Sequence, residues 1–570
     1  MTERLEQEVG AAATGADPRS LKREFDSEPA TVDTTAQNSA PAQAEASTPK
    51  RARFDDAKEK WERRDRRGTG RVPDDTSSSA DPSSSTGGDR LPKRKVAVKF
   101  GYCGIGYSGL QINPGVKTIE GDIFQAFCTA GAVSADNAVN PNKVGLQRAA
   151  RTDRGVHAAG NLLSLKLILQ PDGLQEGETL VDRVNALLPE FIRVWGVTRV
   201  QNGFSARQSC DSRMYEYLLP TYVFVPPKPG STMHDMLVRM RDDELAKTGA
   251  TTLGDVVDHA FWKQHGTTHD FSTDMRAKTA FRLSASALAR IRSIFARYLG
   301  SHNFHNFTVG KEFRDRSCQR FMKQLTISDP TVIGETEWVS IKFHGQSFML
   351  HQIRKMIGLL VLVGRTGAGE GLVDECFGPA RVHIPKAPGL GLLLEQPIFD
   401  AYNTRIRNNN DKIAKLMRKK ASSDQKDSAP ESAHRDAGRN STLHDELRES
   451  ISYAPHAAAM QQFKQQWIYD RIHSTEQDTY EFGKWLNYLD VFQGPDFEFL
   501  NPKGVIPPQC IVKVGEFHRD NLRRARESQL GGKEGGGSEQ QRQQQQDDDD
   551  DDEDHEAYSK KGAELDEYEG

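Results

Sequence analysis

The sequence predicts an α+β fold in which duplicated strand–helix units form a mixed, mainly antiparallel central sheet flanked by helices, with a cleft between two subdomains and disordered tails at both ends. Two observations lead to this prediction. Stretches with alternating apolar residues, typical of strands, are interleaved with stretches whose apolar residues recur at helical spacing. The same strand–helix–strand order occurs twice, at residues 95–220 and again at 284–405. With 570 residues, the chain is long enough for about two to four domains.

The first elements follow from local patterns. Apolar residues alternate from Val96 to Tyr102, which predicts a strand. Thr118 is suited to cap a helix, and the apolar residues between Ile119 and Ala130 share one helical face. Between them, Gly104–Gly109 has the spacing G-x-G-x-x-G. A dinucleotide site needs a helix to open directly from such glycines. Because the next helix opens only at Thr118, we interpret these glycines as a turn.

The rest of the first half is also patterned. Alternating leucines predict a half-buried strand at Leu162–Leu169. We expect a helix at Leu180–Leu188 that Pro189 ends, and strands at Ile192–Val200 and Ser212–Leu219, the last with Tyr215 and Tyr217 on one face.

Residues 221–283 are proline-rich and then charged, with little periodicity, and we interpret them as an insertion. The second half is predicted to contain a helix at Leu288–Leu299 that Gly300 ends, a polar-aromatic loop at Ser301–Thr308, strands at about 316–327 and 337–343, an apolar helix at Phe348–Leu360 and a last strand at Pro388–Glu395. Beyond these we expect a polar linker at 406–454 and a helical extension at 455–520 that docks on the body.

Composition separates the tails from the body. Only 36% of the residues are hydrophobic, and the deficit lies at the two ends, so we expect 1–94 and 521–570 to be disordered. The net charge of -4 combines basic clusters near the start with the acidic run Asp547–Asp554. Overall charge therefore neither favours nor excludes an RNA partner.

Cysteine usage and hydropathy indicate the compartment. Six scattered cysteines without a C-x-x-C pair indicate free thiols in a reducing environment. No apolar run approaches the roughly 18 residues of a membrane span, and the N-terminus lacks a secretory signal. The basic clusters resemble nuclear import signals, although such segments are also found merely solvated. We therefore expect a protein of the nucleus, with the cytoplasm or mitochondrion as alternatives, that binds no membrane and recruits an import receptor.

The loop before Leu162 contains the candidate functional carboxylate. Asp153 lies between Arg151 and Arg154, and Gly155 follows. Flanking cations favour an ionised carboxylate and attract polyanions, which suggests chemistry on a nucleic acid. Taken alone, the motif is also compatible with a surface salt bridge in a turn.

Six motifs in order make the chain resemble a tRNA pseudouridine synthase of the TruA family, eukaryotic nuclear branch. The similarity covers about 95–225 and 284–405 and leaves the tails and the insertion without a counterpart. The motifs are Gly106-Tyr-Ser-Gly-Leu-Gln111, Lys117-Thr-Ile-Glu-Gly-Asp122, Arg151-Thr-Asp-Arg-Gly-Val-His-Ala158, Arg213-Met-Tyr-Glu-Tyr217, Phe348-Met-Leu-His-Gln-Ile-Arg-Lys-Met-Ile-Gly358 and Ala387-Pro-Gly-Leu390.

The resemblance implies a role for each site residue. Asp153 would be the nucleophile, attacking either ribose C1′ or uracil C6, and Arg354 would pair with it and hold its orientation. Tyr215 would stack on the uracil so that the cleaved base rotates without escaping. The reaction is an isomerisation and implies neither metal nor redox cofactor. The substrate-binding residues would be Arg151, which enters the space left by the flipped nucleotide, Leu390, which closes the apolar side, and Arg154, His157 and Arg213.

Some roles have competing interpretations. Arg354 is also compatible with a structural salt bridge, and Tyr215 with plain sheet packing. For His157, a hydrogen bond to the loop backbone is favoured over proton transfer. His302, His305, His344 and His351 do not repeat a zinc spacing, so we expect no metal.

Three functions are compatible with the residues. The favoured one is conversion of uridine to pseudouridine in tRNA, in the anticodon stem and loop (for example positions 27/28), and also in other structured RNA such as snRNA or mRNA. The second is a non-catalytic RNA-binding or chaperone protein with the same fold, and the third is an RNA glycosidase or nuclease. Retention of Asp153, Tyr215 and Arg354 together favours the enzyme. The sequence does not decide between a monomer and a dimer.

Overall fold

The computed structural model describes residues 91–268, 270–424 and 446–512. The predicted disordered tails lie outside these residues, apart from 91–94, and so does part of the predicted linker, 425–445. All six cysteines are described and all are free thiols, as predicted. Among the described residues, no helix combines the length and hydrophobicity needed to cross a bilayer.

Ten strands among the described residues form one sheet, which confirms the predicted mainly antiparallel architecture. Its main path runs β4-β1-β3-β10-β5-β9-β7-β6, while β2 pairs with β3 and β8 pairs with β9. Among the strand pairs of the described residues, only that of β10 with β3 is parallel. The strands are β1 Lys93–Tyr102, β2 Gln147–Arg148, β3 His157–Ile168, β4 Ile192–Arg199, β5 Ser212–Pro220, β6 Gly300–Asn303, β7 Gln319–Ile327, β8 Thr331–Ile333, β9 Thr336–Gly345 and β10 Leu392–Ile398.

Helices connect and flank these strands. A π-helical turn at Lys464–Tyr469 joins two of the last ones, and short 3-10 turns make several of the remaining connections. The α-helices are α1 Ile119–Thr129, α2 Ala135–Ala138, α3 Leu180–Leu187, α4 Thr232–Thr248, α5 Gly254–Val257, α6 Ala260–His265, α7 Phe271–Thr279, α8 Ala285–Ala296, α9 Gln352–Thr366, α10 Leu372–Glu375, α11 Asp400–Asp424, α12 Ala457–Phe463, α13 Asp470–Thr479 and α14 Glu481–Val491.

The two halves of the sheet meet at β10. Strands β4, β1 and β3 lie on one side of β10. Strand β5, which also comes from the first half of the sequence, lies on the other side together with β9, β7 and β6. The last strand in sequence, β10, lies between β3 and β5 and bonds to both. The middle of the sheet is therefore completed by a segment about 230 residues after β3, which no local pattern indicates.

One face of the sheet packs against amphipathic helices, as the periodicity predicts. Val98 and Phe100 of β1 are fully buried, and so are Ile119 and Phe127 of α1. Thr118 caps α1 by accepting a hydrogen bond from the Gly121 amide, as expected. The predicted turn at Gly104–Gly109 is also confirmed, because α1 starts well beyond the glycines.

The prediction of a half-buried strand at Leu162–Leu169 was wrong in one respect, since both faces of β3 are covered. Leu163 belongs to the main core, while Leu162 packs in a second cluster with Phe399 and Tyr402. Tyr402 lies in α11, which occupies part of the predicted linker at 406–424. The physical reason is tertiary packing, because a helix far away in the sequence covers the face of β3 that was predicted to be exposed to solvent.

Several boundaries also differ from the predictions. Phe348 precedes the helix it was assigned to, because α9 starts at Gln352. Leu390 precedes β10, and the first residues of the predicted loop at Ser301–Thr308 form β6. Residues 221–283, which show little periodicity, contain α4–α7. Their role as an insertion stays a prediction.

A buried ionic network joins those helices to the last helix. Arg365 of α9 donates to Asp490 of α14 at 2.6 Å, and both side chains are almost fully buried. Lys228 binds Asp274 of α7 at 3.1 Å and reaches Asp490 through its backbone amide. Because a buried charge left without its partner is strongly destabilising, this network fixes these segments to one another.

Substitution of Gly358 tests the packing of α9. An added Cβ would lie 2.0 Å from the carbonyl oxygen of Pro385, so backbone would have to move. We expect Gly358→Ala to lower the free energy of unfolding by about 1–3 kcal/mol, because this overlap outweighs the gain in helix propensity of about 1 kcal/mol. Urea unfolding measures the change.

Gly371→Ala is the matched control. It has φ -60°, and an added Cβ meets no atom within 4 Å. It should leave stability unchanged or raise it by about 0.4–1 kcal/mol. Equal effects of the two substitutions would contradict the packing argument.

Candidate active site

The loop that carries Asp153 is braced at both ends. On its N-terminal side, β2 pairs with β3, and Arg148 binds the buried carboxylate of Glu120 at 2.8 Å. In its middle, the hydroxyls of Thr152 and Tyr102 are 2.7 Å apart in the core. After the loop the chain enters β3 at His157. The carboxylate is therefore presented from a fixed loop at the start of a central strand.

The turn at Gly104–Gly109 packs directly on this loop. A Cβ on Gly104 would lie 2.2 Å from the carbonyl oxygen of Val156, and one on Gly109 would lie 2.9 Å from that of Thr152. Leu110 also donates its amide to Thr152. The glycines of the G-x-G-x-x-G motif thus permit close approach of two backbones.

His157, the first residue of β3, bonds the glycine turn that packs on the loop. Its side chain is fully buried, and Nδ1 accepts a hydrogen bond from the Gly104 amide at 3.2 Å. Burial, together with the Arg471 charge, lowers the pKa of His157 to about 4, so the ring is neutral at physiological pH. The bond from the Gly104 amide agrees with the favoured alternative of a backbone hydrogen bond, and the substrate-binding role of His157 stays a prediction.

Tyr215 reaches the same place from β5. Leu394 of β10 pairs with Tyr215 on one side and with Ala158 on the other, so the register sets the tyrosine close to the loop. Burial raises the pKa of Tyr215 to about 12, where Arg213 opposes the rise and the Asp153 charge adds to it. The Tyr215 ring is 8% exposed and packs edge-on against Phe348, with ring centroids 5.0 Å apart.

His351 is a site residue that the sequence analysis considered only as a metal ligand. Its Nε2 lies 4.0 Å from an Asp153 carboxylate oxygen, and the Asp153 side chain is 42% exposed. His351 precedes α9 with φ 58°, a left-handed conformation that is uncommon for a non-glycine residue. Such strained positions cluster at functional sites. The histidine lies inside the Phe348–Gly358 motif, but no sequence signal gives its backbone conformation.

Arg354 of α9 and Leu390, just before β10, lie in two segments that are hydrogen-bonded to each other. The Arg354 Nε donates to the Ala387 carbonyl at 2.7 Å, and the Ala387 amide donates back to the Arg354 carbonyl. The guanidinium also lies next to Gly389, and Leu390 is buried. The reciprocal bonds fix α9 against the segment that leads into β10. The expected pairing of Arg354 with Asp153 stays a prediction.

The other predicted site residues divide into two groups. Arg151 and Arg154 are exposed on either side of Asp153, as an RNA contact requires. Arg213 instead uses its guanidinium on the backbone, donating to the Ala149 carbonyl at 2.7 Å and the Gln346 carbonyl at 3.2 Å. It therefore braces the strand before the loop, and its contact with substrate stays a prediction. Among the described residues, no group of three or more histidine, cysteine or acidic side chains is arranged to hold a metal ion.

Known proteins of similar sequence identify the family of this chain. The chain is 41% identical to tRNA pseudouridine synthase 1 of Yarrowia lipolytica over 453 residues, covering 73% of this chain and 78% of the relative. The chain belongs to the tRNA pseudouridine synthase family. A family model described as tRNA pseudouridine synthase also matches residues 294–400. The chain is thus an RNA pseudouridine synthase, an isomerase, as the TruA-family motifs predict.

Two further relatives support the assignment. The chain is 35% identical to tRNA pseudouridine synthase 1 of Schizosaccharomyces pombe over 516 residues, covering 74% of this chain and 88% of the relative. It is 41% identical to the tRNA pseudouridine(27/28) synthase of Saccharomyces cerevisiae over 327 residues, covering 54% of this chain and 85% of the relative.

The neutral state of His157 predicts a pH dependence of stability. Its folded pKa of about 4 lies below the ordinary value of 6.5, so the unfolded chain binds the proton first as pH falls. The stabilisation is present above pH 6.5 and is lost as pH falls toward 4, with a total on the order of 3 kcal/mol. Urea unfolding at pH 7.5, 6, 5 and 4.5 measures it.

His157→Asn keeps an acceptor for Gly104 and removes the titration, so its stability should fall less between pH 7.5 and 4.5. Burial and nearby Lys355 also lower the pKa of His383 to about 4, so the readout is the difference between variant and wild type. Parallel stability curves would refute the assignment to His157.

Proposed function

We propose that this protein uses Asp153 as the nucleophile that converts uridine to pseudouridine in tRNA, and that its targets lie at positions 27 and 28 in the anticodon stem. The observation that supports it best is that His351 lies 4.0 Å from the Asp153 carboxylate and that Tyr215 is near enough for the Asp153 charge to raise its pKa. The positions rest on the name of the Saccharomyces cerevisiae relative.

The reaction keeps every heavy atom of the nucleotide. Asp153 attacks ribose C1′ or uracil C6, the N1–C1′ bond breaks, and the uracil turns within the site. Carbon C5 then bonds to C1′, the bond between Asp153 and the nucleotide breaks so that the carboxylate is regenerated, the proton on C5 is lost, and N1 acquires a proton. Nothing is oxidised or reduced. The protein must therefore supply an ionised carboxylate, a surface that retains the free uracil, and access for an unstacked nucleotide.

The residues match these needs. Arg151 and Arg154 are exposed on either side of Asp153 and would attract the phosphates of the target strand. Tyr215 is protonated at neutral pH, since its pKa is about 12, and offers an aromatic ring beside the carboxylate. Arg151 would fill the space that the flipped nucleotide leaves, and Leu390 would close the apolar side. Pairing of Arg354 with Asp153 would align the carboxylate in the RNA-bound state.

Further substrates and the cellular site are part of the proposal. Other structured RNA, including snRNA and mRNA, would be modified where it presents the same stem geometry. Nuclear location would depend on the basic clusters near the N-terminus. These clusters are Lys50–Arg53, Arg63–Arg67 and Lys93–Lys95. Only the last lies among the described residues, within β1, where Lys93 bonds Ser134 and Lys95 bonds Gly145. An import receptor would therefore recognise the clusters before residue 91.

Substitution of Asp153 tests the nucleophile. Asp153→Asn preserves shape but cannot attack, so tritium release from 5-tritiated uridine in a tRNA transcript should fall to the level of buffer. Binding of tRNA should change by less than about threefold, because phosphate contacts dominate affinity. Asp172→Asn, at an exposed acid, is the control and should retain full activity. Tritium release by Asp153→Asn would overturn the assignment.

The same assay distinguishes the alternatives. A non-catalytic RNA-binding protein would bind the transcript and release no tritium even as wild type. A glycosidase or nuclease would release free uracil or cut the strand, which gel analysis of the product detects. Nucleotide-resolution mapping of pseudouridine in the treated transcript checks positions 27 and 28.

Substitution of Tyr215 tests the stacking role. Tyr215→Phe keeps the ring and should retain activity within about tenfold of wild type. Tyr215→Leu removes the aromatic face, which is worth about 1–3 kcal/mol per stacked base, so kcat should fall by about 5- to 150-fold relative to Tyr215→Phe. Equal activity of the two variants would contradict stacking and favour plain sheet packing.

A further inference from the structure

A single buried lysine of the C-terminal extension, residues 446–512, contacts the back of the active-site strands. Lys464 is 4% exposed and begins the π-helical turn Lys464–Tyr469. Its Nζ donates to Glu216 of β5 at 2.9 Å and to Glu395 of β10 at 2.7 Å. Tyr469 of the same turn also donates to Glu216, at 2.7 Å. Glu216 accepts a further bond from Ser340 of β9.

The two carboxylates belong to the strand pair that forms the site. Glu216 follows Tyr215, so its side chain points to the opposite face of β5. Glu395 lies where the β10–β5 register shifts between Leu394 and Gln396, a β-bulge. Leu394, just before the bulge, pairs with Tyr215 and with Ala158 beyond the catalytic loop. Bulges re-aim side chains next to active sites, and here one cation holds the bulged residue.

The extension also contacts β3, the strand that pairs with β10 on the side opposite β5. The Tyr453 hydroxyl donates to the Asn161 carbonyl of β3 at 2.9 Å. A Cβ on Gly160 would lie 2.9 Å from the Glu395 carbonyl oxygen, 3.0 Å from the Tyr453 ring and 3.1 Å from Met460. The extension therefore touches β3, β10 and β5 where they carry the catalytic loop and Tyr215.

Charge argues against a direct RNA-binding role for this segment. Residues 446–512 contain five lysines and arginines against nine aspartates and glutamates, a net charge of -4. A segment of this sign repels a phosphate backbone. Burial alone would lower the pKa of Lys464, but Glu216 and Glu395 raise it above its ordinary value, so the lysine stays charged.

We infer that Lys464 is a positioning residue for pseudouridine formation: by bridging Glu216 and Glu395 it fixes the β5–β10 seam, and with it the placement of Tyr215 relative to Asp153. The inference rests on the proposed function of the site. Without the cation, the buried Glu216 and the partly exposed Glu395 would lose the partner they share, and repulsion between the two carboxylates would shift the bulge, although Tyr469 and Ser340 still donate to Glu216. A displacement of about 1 Å at a reacting group costs up to about 100-fold in rate.

The test uses the full chain with Lys464→Met, Lys464→Arg and Lys464→Met combined with Glu395→Gln. Tritium release from 5-tritiated tRNA gives kcat and KM, and the melting curve of each variant fixes an assay temperature at which it is fully folded. We expect Lys464→Met to lower kcat by about 10- to 100-fold with KM within about twofold. Lys464→Arg, which keeps the charge, should recover most of the activity, and Glu395→Gln in the double variant should recover part of it.

The control is Lys484→Met, at an exposed lysine of α14, which should match wild type.

The outcomes separate the inference from the function it rests on. No tritium release by wild type would remove the proposed function itself. An active wild type together with unchanged kcat in folded Lys464→Met would overturn the positioning role. So would a loss explained entirely by the unfolded fraction, since a purely structural lysine would lower the melting temperature and leave the kcat of folded enzyme intact. If Lys464→Met does not fold, Glu395→Gln alone decides, because it weakens the same bridge: a lowered kcat supports the inference, and a wild-type value overturns it.

Discussion

Backbone pairing of β10 with β3 on one side and with β5 on the other is the interaction on which the active site depends. The loop with Asp153 leads into β3, and Tyr215 lies on β5, so neither strand alone contains the site. Their separation is set by the width of one intervening strand, and neighbouring strands lie about 4.8 Å apart. The segment before β10 adds Leu390 and receives the Arg354 hydrogen bond, so one strand gathers residues from both halves.

Near these three strands, polar side chains that take no part in the proposed reaction hold the loop that carries Asp153. Thr152 bonds Tyr102, His157 accepts from Gly104, and Arg148 binds Glu120 beneath the loop. The first two contacts are buried and the third is partly buried. A satisfied hydrogen bond is strong in the interior and an unsatisfied group is costly there, so the loop has little freedom. Asp153 itself remains partly exposed beside His351, as the proposed nucleophilic role requires.

Much of this arrangement could be predicted from the sequence because it depends on local patterns. The alternation in β1 and β5, the Thr118 cap and the position of Asp153 just before a strand all follow from residues close together in the chain. The insertion of β10 between β3 and β5 could not be predicted, since it joins segments about 230 residues apart. The covering of Leu162 by Tyr402 and the bridge from Lys464 to Glu216, 248 residues away, escape for the same reason. The left-handed backbone conformation of His351 is set by tertiary packing, and it cannot be predicted from the residue type.

The chain order of the central strand has a consequence for synthesis on the ribosome. Both β3 and β5 leave the exit tunnel long before β10 does, so each presents an open edge to the cell while residues 221–391 are being translated. Unpaired edges of this kind recruit other chains, which makes the nascent polypeptide a client for chaperones during that interval. A product terminated before residue 392 would keep Asp153 and Tyr215 yet lack the strand that pairs with both β3 and β5.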